Sequence, residues 1–128
     1  MDFLTSNSML MMEKSMNFLW TKQAAISDNI ANAETPGYKA KMVTFEENLR
    51  ARLEEALGSN APRINARRVL RDAEISVTEA AESTRMDGNG VNTTEQMVEL
   101  VRNAYQLQYV MNSINTDLST LRTAVRGQ

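Results

Sequence analysis

Each end of the chain carries an apolar row that steps three, four, three, four. The first row is Met9, Met12, Met16, Leu19, Gln23, Ile26, Ile30 and Ala33; the second is Met97, Leu100, Ala104, Leu107, Met111, Ile114, Leu118, Leu121 and Val125. This is the a/d spacing of a coiled coil, which keeps one stripe of a helix against a partner over several heptads. Gln23 is the polar member of the first row, and a lone amide in a seam sets register at some cost in stability. At 1.5 Å per residue the two predicted helices are roughly 37 Å and roughly 50 Å long. Narrow seams on rods of unequal length point to partners in other chains.

Composition limits what else the chain can be. With 128 residues and only 5% aromatic content, there is room for one domain and little material for a large core, so area must be buried between helices. Fourteen basic and sixteen acidic residues leave a formal charge of -2, which gives no whole-chain attraction to nucleic acid or anionic lipid. The chain has no cysteine and no histidine, which removes disulfides, thiolate or imidazole metal sites, and Ser/His or Cys/His catalysis. No cofactor, metal or catalytic residue is expected. The first twenty residues lack a basic region, and Glu13, Lys14 and Asn17 interrupt their apolar stretch, so a cleaved signal does not fit. No apolar run is long enough to insert in a bilayer.

The expected fold is mainly α: two long terminal helices pairing as an antiparallel coiled coil, with a short helix and an irregular or partly β middle segment. Residues 1–35 form the N-terminal helix, 36–91 the middle segment and 92–128 the C-terminal helix. The first helix starts among the polar caps Thr5, Ser6 and Ser8 and stops at Thr35-Pro36-Gly37, where Pro-Gly suits the centre of a type II turn. A short helix is predicted over 44–57, with Thr44 as cap, Glu47 as its capping-box partner, and Phe45, Leu49, Leu53 and Leu57 on one side. Gly58 to Pro62 reads as a linker. From Arg63 to Arg85 the pattern is poor, although alternation around Ile75 and Val77 suggests a short strand within 70–77. Asp87-Gly88-Asn89-Gly90 reads as a turn, and Asn92 with Glu95 three residues on caps the last helix.

The most specific stretch is Asn29-Ile-Ala-Asn32-Ala-Glu-Thr35-Pro36-Gly37-Tyr38-Lys39. Taken physically, it is two amides one turn apart at a helix end, then a proline-glycine redirection and a tyrosine with an apolar body and a polar tip. A plain helix end with a turn accounts for that much. The stretch also resembles the signature Asn-x-x-Asn-x-x-Thr-Pro-Gly-Tyr-Lys of the bacterial flagellar rod and hook proteins, with every fixed position present. The segments Asp87 to Asn92, Glu95 to Leu100 and Leu121 to Gly127 are similar to the proximal rod subunits of that family. The likeness covers about half of the chain, and residues 58–86 carry no matching motif.

The resemblance implies a structural subunit that polymerises with other rod proteins into a helical tube and transmits torque. It implies self-association and contact with other proximal rod subunits, a rod-to-ring adaptor and a membrane ring protein. It further implies passage through the flagellar type III export apparatus, without a cleaved signal, to the periplasmic rod. There is no space for the large inserted domain expected of hook and distal rod subunits. The alternatives are the other short proximal rod protein or a cytoplasmic coiled-coil adaptor or export chaperone. The residues expected to matter are Asn29, Asn32, Thr35, Pro36, Gly37, Tyr38 and Lys39 at the turn, with Met12, Met16, Leu19, Ile26, Ile30, Met97, Leu100, Leu107, Met111, Ile114, Leu118 and Leu121 in the seam. In a free monomer both ends are expected to be largely disordered, since one stripe buries too little to offset the entropy of ordering it.

Other clusters have plainer explanations. Calcium-loop spacing around Gly90 would place Arg85 where a carboxylate must bind the ion. Arg63, Arg67, Arg68 and Arg71 lack interleaved aromatics for base stacking and read as a solvated or salt-bridging face. Glu46, Glu47, Glu54 and Glu55 have nothing nearby to separate their pKa values, so they read as a wet helix face. Met9, Met11, Met12 and Met16 serve equally as core filling or as an adaptable contact surface, and Trp20 as a helix cover or an anchor.

Overall fold

The computed structural model describes residues 6–45, 49–80 and 90–127. Helix α1 spans Asn7–Ala31, strand β1 Lys41–Phe45, helix α2 Leu49–Leu57, helix α3 Pro62–Asp72, strand β2 Ile75–Glu79 and helix α4 Thr93–Arg126. Among the described residues the architecture is therefore mainly helical with one small antiparallel sheet.

Helix α1 begins where Ser6 Oγ accepts the Met9 amide at 3.1 Å, a side-chain cap that satisfies one free N–H of the first turn. It ends at Asn32, whose amide N–H reaches back to the Asp28 carbonyl. The Phe18 and Phe45 rings stand 5.4 Å apart, tying α1 to the sheet. Helix α3 runs beside α1: Asn7 Nδ2 donates to the Arg63 carbonyl, and Lys14 Nζ donates to the carbonyls of Arg71 and Ala73 at 2.9 and 3.0 Å. A cation there satisfies carbonyls at the helix C-terminus and complements its dipole. Helix α4 lies antiparallel to α1. Asn29 meets Gln96, Lys22 meets Glu99 and Leu19 meets Asn103, so rising numbers in one helix match falling numbers in the other.

The middle segment departs most from expectation. Thr44 does not cap a helix: it lies in β1, paired with Ser76 of β2, and Phe45 pairs with Ile75. Partner strands supplied a ladder that outweighed the local capping signal. Helix α2 is described from Leu49, and the proposed partner Glu47, like Glu46, lies outside the described residues. So do Thr5 and the Asp87–Asn89 part of the glycine turn.

Leu70 is helical, and the strand begins at Ile75. Helix α3 is hard to read from sequence because only Ala66, Leu70 and, just beyond it, Ala73 are buried, a four-three spacing set among four arginines. Pro62 at its first position was the available signal. Gly58 to Pro62 is a tight α2–α3 connection in which Ser59 Oγ donates to the Ala56 carbonyl at 2.6 Å and accepts from Asn65 Nδ2 at 2.8 Å.

Candidate functional site

The turn after α1 is built around one buried amide. Asn29 is 1% exposed. Its Nδ2 donates to the Lys41 carbonyl at 2.9 Å and to Gln96 Oε1 at 3.0 Å, while its Oδ1 accepts from the Lys41 amide at 2.7 Å and from the Tyr38 hydroxyl at 3.2 Å. The side chain thus acts as a short strand partner for Lys41, presenting a donor and an acceptor to the same residue. Asn32 stays local: its Nδ2 returns to the Asp28 carbonyl and its Oδ1 accepts from the Thr35 hydroxyl.

Thr35 to Tyr38 form the turn, closed by the Tyr38 amide donating to the Thr35 carbonyl at 3.2 Å. Gly37 has φ +72°, the positive value that the third residue of a type II turn requires and that glycine adopts without steric cost. Pro36 and Lys39 are exposed, and the backbone of Lys39 bridges in parallel to Gly90. The Gly90 amide donates to the Tyr38 carbonyl at 3.2 Å. A Cβ at Gly90 would lie 2.4 Å from that same oxygen and 3.2 Å from Lys39 Cα. Beyond the glycine turn expected of it, Gly90 contributes the absence of a side chain where two backbones meet. Beside it, Val91 is 1% exposed.

Along α1 the seam residues Leu19 and Ile26 are buried, and Met12, Met16 and Ile30 half-buried. On α4 the inward face differs from the expected stripe. Leu100, Leu107, Ile114 and Leu121 are half-buried, but their inward companions are Gln96, Asn103, Val110 and Asp117. Met97, Met111 and Leu118 remain 48%, 48% and 44% exposed, and Ala104 is exposed. The cause is hydrogen bonding. Asn103, fully buried, donates to the Leu19 carbonyl at 3.1 Å and to Gln23 Oε1 at 2.7 Å, turning the amide row towards α1. Gln96 and Asn103 carry no apolar signal in the sequence; the polar Gln23 in the α1 row hints at a polar partner without saying where on α4 it lies.

Val98, Val101, Tyr105 and Tyr109 continue the exposed apolar surface of α4. Together with Ser15, Phe18, Leu19 and Val110, the two tyrosines line an open groove of about 450 Å³.

Lys22 Nζ lies 2.8 Å from Glu99. This hydrogen bond holds the Glu99 carboxyl below the usual carboxylate range, against an opposing effect of burial, with Arg102 adding attraction. A depressed carboxylate pKa contributes stability above its unfolded value, near about 4.3, and that stability is lost as pH falls through the folded value. Replacing Lys22 with methionine is therefore expected to make stability less steeply acid-sensitive below about pH 5. Urea titrations at several pH values test this; parallel profiles for both chains would refute it. Asp28, 2.7 Å from Lys41, similarly holds that ammonium above its ordinary value by hydrogen bonding and charge.

Among the described residues no group of three or more acidic, histidine or cysteine side chains is placed to hold a metal, and no helix is long and apolar enough to cross a membrane. The arrangement is a buried polar joint beneath a long helix with an uncovered apolar flank. Residues 16–39, which include Asn29 and the turn through Tyr38, match the family model described as flagella basal body rod protein. The flagellar basal body rod protein FlgB of Cereibacter sphaeroides is 31% identical over 84% of this chain and 85% of its own length. The chain belongs to the FlgB family of flagellar basal body rod proteins. FlgB of Bacillus subtilis is 29% identical over 97% of both chains, and FlgB of Salmonella typhimurium 23% identical over 90% of both. The FlgB likeness thus spans the middle segment, although residues 58–86 carry no rod motif.

Proposed function

We infer that the chain is a structural subunit of the proximal rod of the bacterial flagellar basal body, without enzymatic activity. The observation that carries this conclusion is the similarity to FlgB proteins, 29% and 31% identical along 97% and 84% of the chain. The uncovered apolar flank of α4 supports it, because exposed apolar area of that extent is characteristic of an interaction surface.

In the proposed assembly, residues 1–35 and 92–128 are the axial helices, paired as an antiparallel coiled coil, and 36–91 braces them from the side. The outward row Met97, Ala104, Met111, Leu118 and Val125 meets neighbouring subunits. Contacts of this heterologous kind do not close on themselves and so propagate a tube. Torque passes through the packed helices. The neighbours are other proximal rod proteins, a rod-to-ring adaptor and the membrane ring protein, and the chain reaches the periplasmic rod through the flagellar type III export apparatus without losing a signal peptide. The shared FlgB designation of the relatives favours this assignment over the other short proximal rod protein.

Co-purification with isolated basal bodies tests the assignment; a tagged chain that restores motility to a strain lacking its gene yet is missing from the rod would overturn it. Leu118→Asp is expected to abolish incorporation while leaving the circular dichroism of the monomer unchanged, since Leu118 is 44% exposed in the single chain. Normal incorporation would count against the outward row. We also propose that the outer turns of α4, beyond its packing on α1, gain order on assembly. Asn103 is the one fully buried residue of α4, and long helices with little tertiary burial are marginal in water. Helix content of dilute monomer should fall well below that of assembled material; equal values would contradict the idea.

A further inference from the structure

Two orientations of α4 against α1 share the central row Leu100, Leu107, Ile114 and Leu121. In the observed one, Gln96, Asn103, Val110 and Asp117 complete the inward face. Turning α4 by about 50°, half of the angle between successive residues, would replace them with Met97, Ala104, Met111 and Leu118. The second face is the more apolar, and on burial alone it should win. The structure nevertheless holds α4 with its amides inward and leaves one of them incompletely satisfied, since Asn103 Oδ1 is buried without a hydrogen-bond partner. A polar group kept inside at a cost, where an apolar neighbour was available, is a device for choosing between competing packings.

We propose that the Gln23–Asn103 amide pair is a rotational pin that holds the Met97, Ala104, Met111 and Leu118 row outward, so that α1 of the same chain does not consume it. Gln23 is half-buried on α1, with its Oε1 2.7 Å from Asn103 Nδ2. Were α4 to turn, Asn103 would move towards water, but Gln23 would face the small Ala104 or a leucine and lose its donor. The penalty falls on the turned state, which is how a buried amide pair selects orientation. The Asn29–Gln96 bond, one heptad away, pulls in the same direction at the helix N-terminus. Asn103 is thus a positioning residue. The pin stands on the geometry alone, and its consequence for assembly rests on the rod function inferred above.

Because the chain has no cysteine, a single Met111→Cys substitution reports the orientation directly. Thiol reactivity follows exposure, and residue 111 is half exposed in the observed orientation. In the Met111→Cys background, Gln23→Leu/Asn103→Leu is expected to unfold at no lower a denaturant concentration yet to label with maleimide several-fold more slowly. Unchanged labelling of a folded double-leucine chain would overturn the proposal. The exchange Gln23→Asn/Asn103→Gln keeps two facing amides and should label like the unsubstituted pair; labelling as slow as that of the double-leucine chain would also overturn it. Incorporation into rods separates the pin from the function. Slow labelling with normal incorporation leaves the pin intact and removes the outward row as the assembly surface, whereas slow labelling with lost incorporation supports both.

Discussion

Gly90→Ala is expected to destabilise the protein by about 3 kcal/mol or more, placing it among the most damaging single substitutions. A methyl group there would sit 2.4 Å from the Tyr38 carbonyl oxygen and 3.2 Å from Lys39 Cα. Neither neighbour can rotate aside, because both belong to backbone. Relief requires parting the Lys39–Gly90 bridge, which breaks the Gly90 amide bond to Tyr38 and lifts Val91 from its buried position. Gly37 makes a useful contrast. It has open space around a Cβ and only a positive φ to protect, so its replacement by alanine carries the smaller backbone penalty of roughly 1 to 2 kcal/mol. Equilibrium urea unfolding reads the difference directly. A Gly90→Ala chain whose midpoint matches the parent's would show that the junction yields freely and that the close approach has no structural weight.

Asn29→Ala is the second large effect, at about 3 kcal/mol. Four hydrogen bonds converge on the Asn29 side chain, and it is 1% exposed. Truncation leaves the Lys41 amide and carbonyl and the Gln96 amide oxygen short of partners in a place that water reaches poorly, and an unsatisfied buried group costs more than a typical hydrogen bond contributes. A double-mutant cycle with Gln96→Ala isolates the link between α1 and α4, with a coupling of about 1 kcal/mol expected. Additive losses would mean that Asn29 serves the turn alone and does not bind the two helices. A tube built from such subunits depends on the joint, because a loose joint lets α4 wander relative to the middle segment.

Much of the outline was legible in the sequence because it depends on local chemistry. Ser6 and Asn92 cap helices where a hydroxyl or amide precedes an amphipathic run, and Thr35-Pro36-Gly37-Tyr38 makes a type II turn because proline fixes one φ and glycine permits the other. The middle segment was less legible. Thr44 and Phe45 carry both a capping signal and strand propensity, and the choice fell to strand only because β2, thirty or more residues later, supplies the ladder. Helix α3 carries its period in Ala66, Leu70 and the adjoining Ala73, a four-three spacing in which two of the three are alanines and four arginines stand around them, so its apolar face is thin in the sequence.

The sequence by itself determined that two long amphipathic helices bracket the chain, that a proline-glycine turn ends the first, and that no histidine or cysteine chemistry is available. Those properties follow from residue spacing and inventory. Only the tertiary structure decided which flank of α4 turns inward, because heptad spacing admits two neighbouring stripes and the choice between them is made by hydrogen bonds from Asn103 and Gln96 to residues far away in the chain. It also decided that Gly90 must be bare and that Asn29 must be an amide. Both demands arise where separate stretches of backbone come within hydrogen-bonding distance, a proximity that no local pattern encodes.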